Sequence, residues 1–459
     1  MKRFRLLHLL TITALLCTWL PVLQPALAGA AAPAATASPD LARVADEVAK
    51  EVEALRGWTF KQPVEKRFCT PQEAMAFVKK EVDEQVPPER IRKIQAFLRT
   101  VGLLPHDCDL KQTLLNLLEE QVGGYYDTDA KALYLVERGE TVPDLVTRIM
   151  LSHELTHALD DQHAGLETFL KLLLGKSEDL DLVAASVAEG SATSLMTQYM
   201  MRTQLSGRFD MAELQAYALK EAQRSNVFMA APRYFSTLLG SYLCGMHFLA
   251  KGNLLAAALG DNRAVGQNLL AAVKDPPQST EQILHPEKYW DPATRDNPVV
   301  VDDAAATRML QRPGRWVVHA NTVGEMLCAI LATPQGRHPN LMTMQMADVW
   351  TNAAATGWGG DRFYLLASGP SAAAAGQALT DLRGVWFTLW DTPQDRDEFV
   401  AAYEQQPAAG RRTIVPLGNL GAAALFGFDE TEEKTVADGL KKAPPPATRG
   451  GKPWAPWAL

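Results

Sequence analysis

The chain has 459 residues, 47% of them hydrophobic, which is enough for a sizeable core in one large domain or two ordinary ones. Its formal net charge is -8 and no Lys/Arg-rich run occurs, so it offers no basic surface to a phosphate backbone. This argues against a nucleic-acid partner.

At the N-terminus, Lys2, Arg3 and Arg5 precede an apolar stretch from Leu6 to Leu23, and Ala26-Leu27-Ala28 supplies the small residues that a signal peptidase reads. Residues 1–28 therefore read as a cleaved export signal, with a periplasmic or extracellular mature protein. An uncleaved anchor is the alternative. Cys17 follows the bulky Leu16, which argues against lipid attachment. The mature chain keeps Cys69, Cys108, Cys244 and Cys328, an even number that permits disulfides outside the cytoplasm. Cys69 with Cys108 is the first pairing to expect, and free buried thiols are the alternative. None has CxxC spacing, which disfavours a cysteine zinc site.

Residues 29–39 are Ala/Pro-rich and are expected to be disordered, with structure starting near Asp40. From there to Gln121 the pattern is mostly helical. Thr70-Pro71-Gln72-Glu73 opens one of these helices as a capping box with proline in the first turn. A hairpin follows over residues 123–136, where aromatic and aliphatic residues flank an Asp-rich turn. Next come a helix from about Pro143 to Gln162 and another from about Glu178 to Arg202. Apolar stretches beyond the export signal are too interrupted to span a membrane. Past Pro292 the composition turns β-like, with strands expected at 315–318, 361–366 and 384–390. The chain as a whole reads as α+β: a mainly helical unit over 40–295 with a small hairpin, an α+β C-terminal subdomain over 300–430, and an unfolded tail over 441–459.

The chemistry concentrates in His153-Glu154-Leu155-Thr156-His157. On a helix the two histidines lie about 40° apart in angle and one turn apart in height, so both rings can reach one ion. Neutral imidazoles are the usual zinc ligands in such a pair, and two ordinary surface or core histidines are the alternative. Glu154 would face the water in the open position of the metal, where a carboxylate can take its proton. Leu145, Ile149, Leu155 and Leu159 form an apolar stripe beside the histidine face. A third ligand is needed. Glu189 supplies it in Val187-Ala188-Glu189-Gly190-Ser191-Ala192, an otherwise apolar helical stretch where an unpaired carboxylate would be costly. The small residues there let two helices approach closely. His163 competes for the role, because metzincins place a third His six residues past the second, after a glycine. Asp160 stands where that glycine should be. Asp160 and Asp161 are either groups supporting the ligands or plain surface charges.

The His153–His157 motif followed by Glu189-Gly190-Ser191-Ala192 is similar to the gluzincin metallopeptidases, in which a second helix supplies a glutamate ligand. The wider text, including Ser279 to Tyr289, resembles a group of uncharacterised exported bacterial zincin-like proteins. That resemblance covers residues 120–290 and implies that the helical unit over 40–295 is a zincin-like domain. It implies one zinc per chain on His153, His157 and Glu189, Glu154 as general base, and a peptide or protein substrate. It also implies that the strand near Leu133-Tyr134-Leu135 is the edge strand along which a peptide backbone pairs.

Transition-state stabilisation needs a further donor. His285 is the first candidate, in a polar run with Glu281, Glu287 and Tyr289 and beside the stiff Pro286; Tyr242 and Tyr234 come next. Trp358, Trp386 and Trp390 read as core more than as a binding platform, and Asp361 and Arg362 as turn and strand-edge charges. The motif set leaves two other functions open: a non-peptidase zinc hydrolase, and a catalytically degenerate zincin-fold binding protein of the cell envelope. Oligomeric state is not legible.

Overall fold

The computed structural model describes residues 39–121, 123–137, 142–207, 212, 216–217, 231–334, 350–408, 410–450 and 452–454. The expected export signal, Cys17 and the Ala/Pro-rich stretch before Pro39 lie outside them. Helix α1 (Pro39–Arg56) comes first, with Val44, Val48, Val52 and Leu55 recurring at helical spacing on its buried face. After β1 (Glu65–Cys69), α2 (Pro71–Gln85) opens on the expected capping box. Thr70 Oγ1 accepts from Glu73 N at 3.2 Å, and Thr70 N donates to Glu73 Oε2 at 2.8 Å. Helices α3 (Pro88–Val101) and α4 (Leu110–Gln121) follow.

Strands β2 (Gly124–Asp127) and β3 (Ala132–Val136) form the hairpin. In its turn, Asp127 Oδ1 accepts from Asp129 N and Ala130 N, and Lys131 takes φ +51°. β1 pairs in parallel with the other side of β3, giving the order β1-β3-β2. This corrects one expectation: the strand through Leu133-Tyr134-Leu135 is the centre of its sheet, because an upstream strand covers its second edge. The edge facing the helices is β2.

The next helices carry the site. They are α5 (Asp144–Ala164), α6 (Glu178–Leu205), α7 (Ser236–Leu249) and α8 (Asn262–Lys274). In α5 the stripe of Leu145, Ile149, Leu155 and Leu159 is buried, and so is the polar face opposite it. α5 is therefore a central helix, and its polar residues need partners inside the protein. α6 and α7 touch backbone to backbone. A Cβ on Gly190 would sit 2.1 Å from the carbonyl carbon of Gly245, and one on Gly245 would sit 1.8 Å from Ser186 O. Neither contact can be relieved by turning a side chain. Gly245→Ala is therefore expected to destabilise the protein by about 1–3 kcal/mol or more in denaturant melts, by forcing α7 off α6. A loss below about 0.5 kcal/mol would mean that the helices part without cost.

In the C-terminal part, β4 (Val299–Val301) precedes β5 (Arg315–Asn321), α9 (Gly324–Ala332), β6 (Trp358–Ser368) and β7 (Thr380–Trp390). Then come α10 (Pro393–Glu404), β8 (Arg412–Leu417), β9 (Gly421–Phe426), α11 (Glu430–Lys442), β10 (Ala447–Arg449) and β11 (Lys452–Trp454). The five-stranded sheet has the order β5-β6-β7-β9-β8, antiparallel throughout. Alternation along the strands splits its residues between two cores. Phe363, Leu365, Trp386 and Phe426 join the main core shared with the helices, while Tyr364, Leu366, Phe387 and Leu425 pack on the other face with Val301, Leu440 and Ala447. The fold is thus α+β, and no described helix is long and apolar enough to cross a membrane.

Three further expectations are corrected. The tail beyond Lys441 is not wholly unfolded: β10 pairs with β4 and β11 with β10, and the Pro-rich turn delivers Pro446 O to Asp302 N at 2.8 Å. All four described cysteines are free thiols; Cys69 sits in a small apolar core, and Cys108 lies 3.3 Å from Thr113 Oγ1. Asp361 is no surface charge but a fully enclosed acceptor. It takes the amides of Val323 and Gly324 and the indole N–H groups of Trp358 and Trp386, at 2.8–3.1 Å. Four donors are what allow a carboxylate to be buried there. Trp358, Trp386 and Trp390 are themselves core residues.

Candidate metal centre

The His153–His157 pair lies mid-way along α5, one turn apart on one face, with both rings buried. Their Nε2 atoms are 3.0 Å apart. α6 crosses this face and presents Glu189, whose Oε2 lies 3.2 Å from His153 Nε2 and 3.4 Å from His157 Nε2. The three atoms form a nearly equilateral triangle. Bonds of about 2.0–2.1 Å to a tetrahedral ion place its ligands about 3.3 Å apart, so this donor set fits zinc in both chemistry and spacing.

Glu154 is buried near Glu189 and Tyr242. Its Oε2 accepts the amide of Tyr126 on β2 at 3.0 Å, while Oε1 is buried and has no protein partner. Burial, reinforced by the charge of Glu189, pushes its carboxyl well above the usual range. Tyr242 comes from α7, at the level set by the Gly190–Gly245 contact. Its ring stacks on His153 with centroids 5.8 Å apart, and its hydroxyl is hydrogen-bonded to Glu189. Burial, with the nearby Glu189 and Glu154 charges, holds the phenol well above its ordinary pKa, so it remains a proton donor.

The other sequence candidates lie elsewhere. His285 does not reach the centre: its Nε2 binds Glu325 Oε1 at 2.8 Å and its Nδ1 faces Glu287. Burial pulls its pKa down and the Glu325 carboxylate more than restores it, leaving it raised. The fully buried Glu325 requires such a partner. Tyr234 donates to Glu178 Oε2 at 2.7 Å, also away from the histidines. For His163, α5 continues to Ala164 and stops only at Gly165, with φ +69°. The helix carries His163 onto Trp58, 4.8 Å between ring centroids, with Nε2 2.8 Å from Thr59 O. Asp160 and Asp161 are both buried: Asp160 pairs with Arg56, and Asp161 accepts from Tyr126 Oη and Lys131 Nζ. A second carboxylate group, Glu281, Asp296 and Asp391, surrounds Lys288 Nζ, whose ammonium already supplies the cation.

Beside the centre a cavity of about 270 Å³ opens from Glu189 and Tyr242. Its walls are mainly aliphatic, from α2, α3 and α4 on one side and α6 and α7 on the other, with Val82, Ile94, Leu114 and Leu182 among them. Sequence reasoning did not reach this cavity, the Tyr126 amide or the Arg56 contact. Each joins residues far apart in the chain, and no local spacing announces them.

Residues 308–432 match a family described as a domain of unknown function, DUF8575. The match covers the whole five-stranded sheet and none of the residues around His153, Glu154, His157 and Glu189. No curated protein and no solved structure matches the chain.

Proposed function

We propose that this chain is a zinc-dependent hydrolase of the gluzincin type that cleaves peptide bonds. The observation that carries the reading is the buried triangle of His153 Nε2, His157 Nε2 and Glu189 Oε2, with sides of 3.0, 3.2 and 3.4 Å. Zinc held by these three residues would supply a Lewis acid that lowers the pKa of water and polarises a carbonyl. Glu154 accepts the proton of the attacking water and returns it to the leaving nitrogen. Tyr242, held protonated, would turn its one O–H from Glu189 to the oxygen on which charge develops.

A second reading is favoured by the walls of the site. β2 uses its Tyr126 amide on Glu154, and the cavity beside Glu189 is bounded by helices whose amides are already engaged. An apolar amide or ester would fit there without needing a strand partner.

The test is zinc titration of the purified protein together with digestion of a proteome-derived peptide library and a panel of apolar amides and esters. We expect one zinc per chain and peptide cleavage. No zinc after reconstitution sinks the proposal; zinc with turnover of the small panel alone moves it to the second reading. Zinc with no turnover leaves a metal-binding protein that does no hydrolysis. Tyr242→Phe is expected to lower kcat by about 10²–10³-fold with little change in KM. Steady-state kinetics with unaltered kcat would remove Tyr242 from the reaction.

A further inference from the structure

We infer that Arg56, the last residue of α1, is a positioning residue for the metal site. The inference rests on the zinc reading above.

Arg56 is fully buried, and its guanidinium joins four helices. Nη2 lies 2.8 Å from Asp160 Oδ2 on α5 and 2.7 Å from Ser191 Oγ on α6, while Nη1 lies 2.7 Å from Asn262 Oδ1 on α8. Ser191 Oγ in turn donates to Asp160 Oδ2 at 2.6 Å, so α5 and α6 are bonded directly beneath the arginine. Trp58 lies against the guanidinium, 5.5 Å from Cζ to the ring centroid.

Position along the two ligand helices gives this knot its meaning. Asp160 falls seven residues after His153, within about 20° of the same face and two turns along. Ser191 is two residues after Glu189. The knot therefore fixes the register and rotation of the two helices whose side chains must bring three atoms within 3.4 Å of each other. A 10° turn of α6 would move a side-chain tip about 6 Å from its axis by about 1 Å, enough to spoil the triangle.

Stability alone is a poor explanation for such a group. Taking an arginine and an aspartate fully out of water costs about as much as their attraction returns, and register is the best attested use of buried ion pairs. Lysine cannot reproduce the fork that reaches Asp160, Ser191 and Asn262 together. Removal of α1 would take the clamp with it, so the end of the segment before β1 belongs to the site.

The experiment is zinc affinity by chelator competition on the full mature chain, with the absorption spectrum of the cobalt-substituted protein and a thermal melt for each variant. Arg56→Lys is expected to weaken zinc binding by about 10–100-fold and to alter the cobalt spectrum while a cooperative melt persists. Ser191→Ala, a smaller change that serves if Arg56→Lys does not fold, is expected to weaken zinc several-fold. Tyr199→Phe is the control. Ten residues past Glu189, Tyr199 Oη binds Glu51 at 2.6 Å and Arg148 as well, tying α6 to α1 and to the start of α5, so its loss should lower the melting temperature and leave zinc affinity unchanged. Wild-type zinc affinity and cobalt spectrum in Arg56→Lys, or in Ser191→Ala if Arg56→Lys does not fold, overturn the inference while the zinc reading stands. An equal loss of affinity in Tyr199→Phe also overturns it, since general loosening would then suffice. Absence of zinc from the wild-type protein removes the zinc reading and this inference with it.

Discussion

On the proposed function, Glu154→Gln is expected to bind one zinc per chain, as is expected of the wild type, and to turn over substrate about 10²–10⁴-fold more slowly. The side chains are isosteric, and the amide oxygen of glutamine can still accept the Tyr126 N–H that Glu154 Oε2 accepts at 3.0 Å. What disappears is the capacity to take a proton. Glu154 is not one of the three atoms of the triangle, so the ligand set is untouched. The substitution also removes a carboxylate that burial and Glu189 disfavour, so the metal-free variant should melt no lower than the wild type. Side-by-side zinc stoichiometry, turnover and melting temperature separate the outcomes. Undiminished turnover would dismiss Glu154 as the base, and loss of zinc would mean that it is a ligand or a prop for one.

The grouping of His153 with His157, apart from Glu154, could be read from the motif because α-helical geometry is local. Residues four apart must share a face, whatever the rest of the chain does. Glu189 was legible for a different reason: a carboxylate in an otherwise apolar helix needs a partner, and only the histidine pair was on offer. The glycine beside it predicted a close approach, although the helix that approaches is α7 rather than α5. Tyr242 is brought in by that contact, which no pattern in its own segment announces.

Other features were settled by partners distant in sequence. Leu133-Tyr134-Leu135 has the alternation of any strand, and only the parallel pairing of Glu65–Cys69 makes it central. His285 stands in a polar run that suggests catalysis, yet Glu325, 40 residues on, claims it. Asp361 looks like a turn residue until Trp386 and the amides at 323–324 converge on it. Charged residues mislead in this way because their burial depends on what the fold brings to them, whereas apolar periodicity depends mainly on the element itself.

His157→Ala should abolish the effect of zinc on stability. A metal bound only by the folded state stabilises it by RT ln(1 + [Zn]/Kd), about 4.1 kcal/mol at a free concentration 1,000 times Kd. At about 2.1 cal/mol/K per residue, a cooperative fold of roughly 400 residues would show that as a rise in melting temperature of about 5 °C. With His157 gone, two of the three donors remain and the triangle is open on the side that faced both His153 and Glu189. His157 is fully buried, so the substitution also leaves a cavity and lowers the melting temperature by itself. The comparison must therefore be made within each variant, with and without zinc, so that the cavity cost cancels. Glu189→Ala should behave in the same way and should also release the Tyr242 hydroxyl, which now has Glu189 as its acceptor. If zinc raises the melting temperature of either alanine variant as far as it raises that of the wild type, the ion is bound elsewhere and the triangle is a hydrogen-bonded knot in the core.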